Sequence, residues 1–479
     1  MSSLAHPLFF FSGATATTGP TENKLRFIDI MDFFFVAHPA SGRREGFEHN
    51  RIMFFSPKHE TVDKQTDVTG FAEAVVNFTD NFVDVKEARA EFPFRTVSTK
   101  KTEQIYIMVE NSEYVVGTSL LKQQCTTSEY AIVSQALCTV VRNAYKMFRL
   151  FFGTFEDMRK KGDEEFRERL DYFFSRYLHT LKLHKMPLMD WLEGVVFLPL
   201  NNKIYLRIVT LMDELVEEFP QIEKVVVLYQ DKLLYYTVSG TDLPSLFRYL
   251  TQNLLPSSIE TELEPSSRTG HGRFLRGPQD LSHDRPLVGE DALPIVHLHV
   301  KGDHEEESVL TSYHMLAYRI LNATVCMFAK GEVTSRMLRN IDGFLGTDMS
   351  SIASDTGEFV GAHNSDSRSY IDFHYIYFNP SSFSLTSSFD GNYGTRVAAP
   401  PMAVNRLLCE TMKTFMDNKE EFKECYVKVE NEWWIVLKKA NNRLLCLFLP
   451  PSNNQQSLAD IQVRSLGIIK SHFESIFLN

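Results

Sequence analysis

The feature that most constrains this chain is an order of elements that occurs near both ends. Leu25–Ala37 and Arg51–Ser56 are dense in Phe, Ile and Met, and polar His38–Asn50 separates them. They read as two strands around a loop. Phe71, Val75, Phe78 and Phe82 recur at i, i+4, i+7 and i+11, the period of a helix. Gln104–Val109 and Tyr114–Val116 read as strands. Two helices follow, one with the stripe Val133, Leu137, Val140, Val141, Ala144 and Phe148. The other carries Phe166, Leu170, Phe173, Tyr177, Leu178 and Leu181 behind acidic Asp163, Glu164 and Glu165, which suit the positive end of a helix dipole. A similar order returns late in the chain. Phe373–Phe378 and Phe383–Ser387 are strands, and Val404–Phe415 is a helix. Cys425–Val429, Trp433–Leu437 and Leu444–Leu449 form hairpins, the second turning at Asn441-Asn442, where Asn tolerates positive φ. A last helix carries Ile461, Leu466, Ile469, Phe473 and Phe477.

The middle fits the same plan. Lys224–Tyr229 and Leu233–Thr237 form a hairpin, Leu243–Leu254 a helix, Val309–Phe328 holds strand-like runs, and Met337–Leu345 and Ile352–Val360 read as helices. The chain of 479 residues is expected to be α+β, in units of the usual domain size. The expected bounds are a flexible tail at 1–20 and units at 21–184, 190–362 and 370–479, with Pro- and Ser-rich 257–292 as a loop insertion.

The search for chemistry is mostly negative. There is no GxxxxGK[ST] loop, GxGxxG, HExxH, Ca²⁺ loop or GxSxG elbow. The net charge of −11 argues against generic nucleic-acid binding. Six cysteines without CxxC spacing read as reduced thiols. No apolar run reaches the roughly 18 residues of a spanning helix, so membrane contact is expected to be peripheral. His297 and His299 share a strand face but have no third close ligand, and read as a strand edge. Asp303–Glu307 reads as a solvated acidic turn and Arg159-Lys160-Lys161 as a basic helix end. No cofactor, metal or catalytic residue is expected. The 38 Phe and 18 Tyr point to large buried contacts. Adjacent Trp433 and Trp434 point to opposite faces of a strand. Either one is core and the other faces a neighbour or partner, or both are core-edge aromatics. The Phe71 stripe likewise faces its own core or a partner.

An ordered set of local motifs resembles the Ccz family across nearly the whole chain. It comprises Arg44-Glu45-Gly46 followed by Asn50-Arg51-Ile52-Met53-Phe54-Phe55-Ser56-Pro57, then Glu73-Ala74-Val75-Val76-Asn77-Phe78-Thr79, then the run from Arg169 to Leu181. Leu254–Glu260, Gly272–Pro278, Ala353-Ser354-Asp355, Tyr375-Ile376-Tyr377-Phe378-Asn379 and Trp433-Trp434-Ile435-Val436 continue it. The 257–292 insertion departs from the family pattern. The resemblance implies three longin domains, each a five-stranded antiparallel sheet flanked by helices. It implies a non-enzymatic subunit of a guanine-nucleotide exchange factor, acting with a Mon-type longin subunit on a late-endosomal Rab GTPase in endosome maturation and lysosome or vacuole fusion. A Bulli-type third subunit joins in metazoan relatives. The implied location is cytoplasmic, with peripheral recruitment to late endosomes. The alternative is a trafficking scaffold or tether without exchange activity. Candidate partner or GTPase contacts are Arg44, Asn50, Arg51, Phe55, Phe71, Val75, Phe78, Trp433 and Trp434.

Overall fold

A computed structural model describes residues 24–82, 91–256, 272–275, 293–301, 308–366, 371–389, 397–417, 423–429, 432–452 and 456–473. The expected tail, nearly all of the expected insertion and the Asp303–Glu307 run lie outside them.

Three antiparallel sheets carry the chain, and each has the same strand order. The first contains β2 (Met31–Ala37), β3 (Ile52–Ser56), β4 (Phe94–Ser98), β5 (Thr102–Val109) and β6 (Tyr114–Leu121), in the order β3-β2-β6-β5-β4. Taken in sequence, that is second, first, fifth, fourth, third. The middle sheet repeats it with β8 (Ile222–Tyr229), β9 (Lys232–Tyr236), β11 (Ile295–Lys301), β12 (Ser308–Ile320) and β13 (Ala323–Ala329), and β10 (Arg273–Leu275) adds to β12. The third sheet repeats it with β14 (His374–Asn379), β15 (Ser384–Ser387), β16 (Glu424–Lys428), β17 (Trp434–Ala440) and β18 (Arg443–Leu449). A helix links the second and third strands of each unit: α1 (Val62–Thr79), α7 (Leu243–Tyr249, continued by a π turn to Leu254) and α9 (Met402–Asp417). These are three longin domains.

Every sheet is covered on both faces, because both faces of its strands are apolar. Val226 and Leu228 join one core while neighbouring Val225 and Val227 join another, as the two-residue period of a strand dictates. Helices α6 (Asn202–Glu218) and α8 (Ser335–Asp366) cover one face of the middle sheet. The sequence reading missed α6, although Ile204, Ile208, Leu211 and Leu215 repeat at helical spacing and Asn201 caps it by accepting from Ile204 N at 2.9 Å. The two helices expected near 337 and 360 are one continuous α8. Buried Met349 carries the apolar stripe across the polar stretch between them.

Helix α2 (Ser134–Phe152) joins the units. It is buried on nearly every side, the mark of a helix packed within a core rather than on a surface. One side packs on β5 and β6, together with α4 (Asp163–Thr180). Other sides meet α7, β11 and the short α5 (Pro187–Trp191). The first two units therefore share one continuous hydrophobic core. A small ribbon, β1 (Lys24–Arg26) with β7 (Lys182–His184), follows α4. Leu25–Ala37 is thus not one strand: a 3₁₀ turn over Phe27–Asp29 divides it.

The second and third units are stitched by the extended segment after α5. Val195 donates to Phe383 O at 2.7 Å and accepts from Leu385 N at 2.9 Å. Its neighbour Val196 accepts from Leu233 N at 2.9 Å. One strand-like segment thus touches the edges of both sheets. Gly194 permits the approach, since a Cβ there would lie 2.1 Å from Leu385 Cβ.

The thiols are free, and all but half-buried Cys425 are buried. Burial pushes Cys125 up to about 11 and Cys138 and Cys409 up to about 12, so these thiols stay protonated and inert.

Candidate functional site: the outer face of the first longin helix

Helix α1 begins at Thr61, whose hydroxyl accepts from Lys64 N at 3.3 Å. Its sheet-facing side is made of small residues, with Thr69, Ala72 and Val76 buried. The reason lies in the sheet. Phe33, Phe35, Phe55 and Tyr106 crowd the opposing face, with Phe35 and Phe55 stacked at 8°. Bulky sheet residues leave room only for small helix residues. The large residues of α1 therefore fall on the other side. Phe71 is 48% exposed, Phe78 68% and Phe82, one turn beyond the helix, 74%. Val75 is half-buried at the edge. The rings of Phe78 and Phe82 lie 5.3 Å apart and pack on each other rather than on the core. Of the two readings open for this stripe, burial in its own core does not hold for the three phenylalanines, while Val75 packs partly against that core.

Two arginines fix the platform. Arg51 donates Nη1 to Glu73 Oε2 on α1 at 2.8 Å, Nε to Glu48 O at 3.0 Å and Nη2 to Gly42 O at 3.3 Å. It ties the 39–51 loop to the middle of α1. Arg95 on β4 donates Nε to Thr79 Oγ1 and Nη2 to Asp80 Oδ1, both at 2.7 Å. A cation at that place suits the negative end of the helix. Sequence reasoning missed Arg95. Nothing in the local pattern marks it, because its partners lie 15 and 16 residues away across the helix end.

The candidate residues separate into distinct roles. Arg44 is exposed and lies over the ring of Phe47 at 4.9 Å. Asn50 is half-buried, and its carbonyl accepts from Arg167 Nη2 at 3.2 Å. Arg51 and Phe55 are framework: the first is ion-paired under the loop and the second is 6% exposed. Trp433 and Trp434 do lie on opposite faces, Trp433 in the core with α9 and Trp434 in the core with α10 (Leu458–His472). Both are below 9% exposed. Neither offers a surface to a partner, because both faces of the third sheet are already covered.

The weaker chemical candidates are structural. His299 Nδ1 is 2.6 Å from Asp242 Oδ1, and its backbone N donates to the same carboxylate. His297 lies under Gly153 at the end of α2. No group of three potential metal ligands occurs among the described residues. Arg159 pairs with Asp163 at 3.0 Å and contacts His38 at 2.8 Å, and Lys160 pairs with Asp157 at 3.6 Å. No helix among the described residues is long and apolar enough to cross a membrane.

Known proteins match this architecture. Residues 31–153 match the model described as the first longin domain of INTU, CCZ1 and HPS4. Residues 222–346 match Intu longin-like domain 2 and residues 371–465 match Intu longin-like domain 3. Among curated proteins, a vacuolar fusion protein CCZ1 homolog of Nematostella vectensis is 29% identical over 467 residues, covering 93% of this chain and 97% of that protein. The Xenopus laevis homolog is 27% identical, over 94% of this chain and 98% of its own. The Dictyostelium discoideum homolog is 21% identical over 93% and 98%.

Proposed function

The chain belongs to the CCZ1 family of vacuolar fusion proteins, and on that premise we propose that it works by assembly, as one subunit of a guanine-nucleotide exchange factor for a late-endosomal Rab GTPase. Membership supports a role in vacuolar or endolysosomal fusion. The exchange activity, the Mon-type longin partner and the Rab are the finer proposal.

One observation carries the assembly reading. The helix between the second and third strands is used for docking in two units. In the middle unit α7 packs on α2, and in the third α9 packs on α5. In the first unit the equivalent α1 carries exposed Phe71 and Phe78, with Phe82 exposed one turn beyond it, and no element among the described residues covers these rings. A contiguous apolar face of this kind marks an interaction site. Burying each of its part-exposed rings contributes on the order of 1–2 kcal/mol. The fitting occupant is the Mon-type partner's own longin unit. A Bulli-type subunit and peripheral membrane contact belong to the same proposal but find no specific support in this geometry.

The mechanism needs no covalent step by this chain. A Rab holds its nucleotide through its phosphate loop, Mg²⁺ and ordered switch segments. A factor that binds the open-switch state better than the closed one shifts the population toward nucleotide release. The fused first and second units supply rigidity, and α1 supplies the face on which the partner completes the Rab-binding surface.

The test is release of labelled GDP from the Rab. The co-expressed complex is expected to accelerate it strongly and the single chain little. A complex that forms on α1 yet leaves GDP release unchanged would favour the tether.

A further inference from the structure

The three units meet around a cleft of about 850 Å³, inside the 300–1,000 Å³ typical of ligand pockets, which favour domain junctions. The first unit contributes α2, the second α7 and the third α9. We propose that the apolar run Leu8-Phe9-Phe10-Phe11 of the same chain docks in this cleft and bridges the three units. The inference is independent of the exchange reading.

The path of the chain leads the run there. Lys24, the first described residue, lines the cleft. Strand β1 pairs antiparallel with β7, with Lys24 opposite His184. In that register the chain upstream of Lys24 heads the way β7 itself runs on, towards Lys185 and Met186, and both of these line the cleft. Only Ser12–Asn23 separates the run from Lys24. That stretch holds no Leu, Ile, Val, Met or aromatic residue to compete for an apolar site. Fully extended it spans about 40 Å, enough to return over a cleft whose rim includes Lys24. A short tether also holds a segment at an effective concentration in the millimolar range. A run with an affinity of only about 0.1 mM is then docked about ten times as often as not.

The lining suits this occupant. Val196, Pro244, Phe389, Pro401 and Met402 are half-buried and offer apolar surface to the cleft. The lining charges cancel, with Lys24, Lys185 and Arg248 set against Glu129, Glu193 and Asp231. A lining without net charge favours an uncharged occupant over an ion, and residues 1–11 contain no Asp, Glu, Lys or Arg. Flexible thioethers fill irregular gaps and make favourable contacts with aromatic rings. Met402 supplies the first, and three successive phenylalanines supply the second. A run of four large apolar residues is also one that proteins seldom leave in water without a function.

The experiment is photo-cross-linking in the full-length chain, with benzoylphenylalanine in place of Phe10 and the products mapped by mass spectrometry. The expected result is a cross-link within one chain to Met402, Phe389 or Pro244. Hydroxyl-radical oxidation of Met402 tests the same contact without the probe. In the combined variant Phe9→Ser, Phe10→Ser and Phe11→Ser, Met402 is expected to be oxidised about fivefold faster than in the unaltered chain, within the docked-to-undocked ratio set by the tether. Half-buried Met416, at the other end of α9, is expected to keep its rate and serves as the reference. Cross-links that fall only outside the cleft lining, that join two copies, or that fail to form would overturn the proposal. So would an unchanged Met402 rate.

Discussion

Helices α1 and α9 occupy the same place in the first and third longin units, yet they spend their large residues in opposite directions. Helix α9 buries Val404, Leu408, Met412 and Phe415 against its own sheet. Helix α1 buries Thr69, Ala72 and Val76 and turns Phe71 and Phe78 outward. The sheets explain the difference. The first sheet supplies its own bulk through Phe33, Phe35, Phe55 and Tyr106. The third sheet meets α9 with Ile376, Ile435, Leu437, Leu444 and Cys446, its aromatic bulk being Phe378, Phe448 and Trp433 at the strand start, and still takes large helix residues. One fold thus yields a helix that buries its bulk and a helix that exposes it.

The contrast can be broken first at α9. Phe415→Ala is expected to cost about 3–5 kcal/mol of stability, as buried Phe truncations do, measured by urea unfolding. The paired change Phe78→Ala with Phe82→Ala is expected to leave stability within about 0.5 kcal/mol. If both rings are anchors, it weakens assembly with the Mon-type partner by about 2 kcal/mol per ring, read by titration calorimetry. A large stability loss there would make α1 a core helix after all. Arg95→Met sharpens the comparison from the framework side. It removes charge-assisted bonds at the end of α1, each worth about 1.5–3 kcal/mol, and is expected to raise hydrogen exchange over residues 75–82 while the α9 amides stay unchanged.

The smallest effect is on pH. His38, His297 and His374, one in each unit, are held below the ordinary histidine value, in each case chiefly by burial. For His38 the nearby Arg159 adds to this. At these three groups the folded chain therefore binds fewer protons than the unfolded one. Their contribution to stability is complete above about pH 6.5 and falls as pH drops below that value. Thermal melts from pH 7.5 to 5 are expected to decline, and His374→Gln is expected to flatten the slope.

Much of this was legible in the sequence, and what was not has physical causes. All five strands of the third sheet follow from alternation and from the Asn441-Asn442 turn, whose φ values of 48° and 64° are the positive ones expected there. Strand β4 was missed because Phe94 and Val97 alone give little alternation on an exposed edge. The helical period of Phe71, Val75, Phe78 and Phe82 was plain, but not its direction. An apolar stripe looks the same whether it faces a core or a partner. Only the bulk of residues distant in sequence, on β2, β3 and β5, decides which. For the tryptophans, strand alternation put them on opposite faces correctly, and because α9 and α10 cover both faces the reading in which both are core aromatics holds.

Hydroxyl-radical footprinting of Phe71, Phe78 and Phe82, read by mass spectrometry, tests the account most directly. The rings are expected to be oxidised readily in the isolated chain and strongly protected in the co-expressed complex, while Phe47 on the neighbouring loop serves as an internal reference. Oxidation of the three rings at the same rate in both states would contradict the claim that α1 is the docking face.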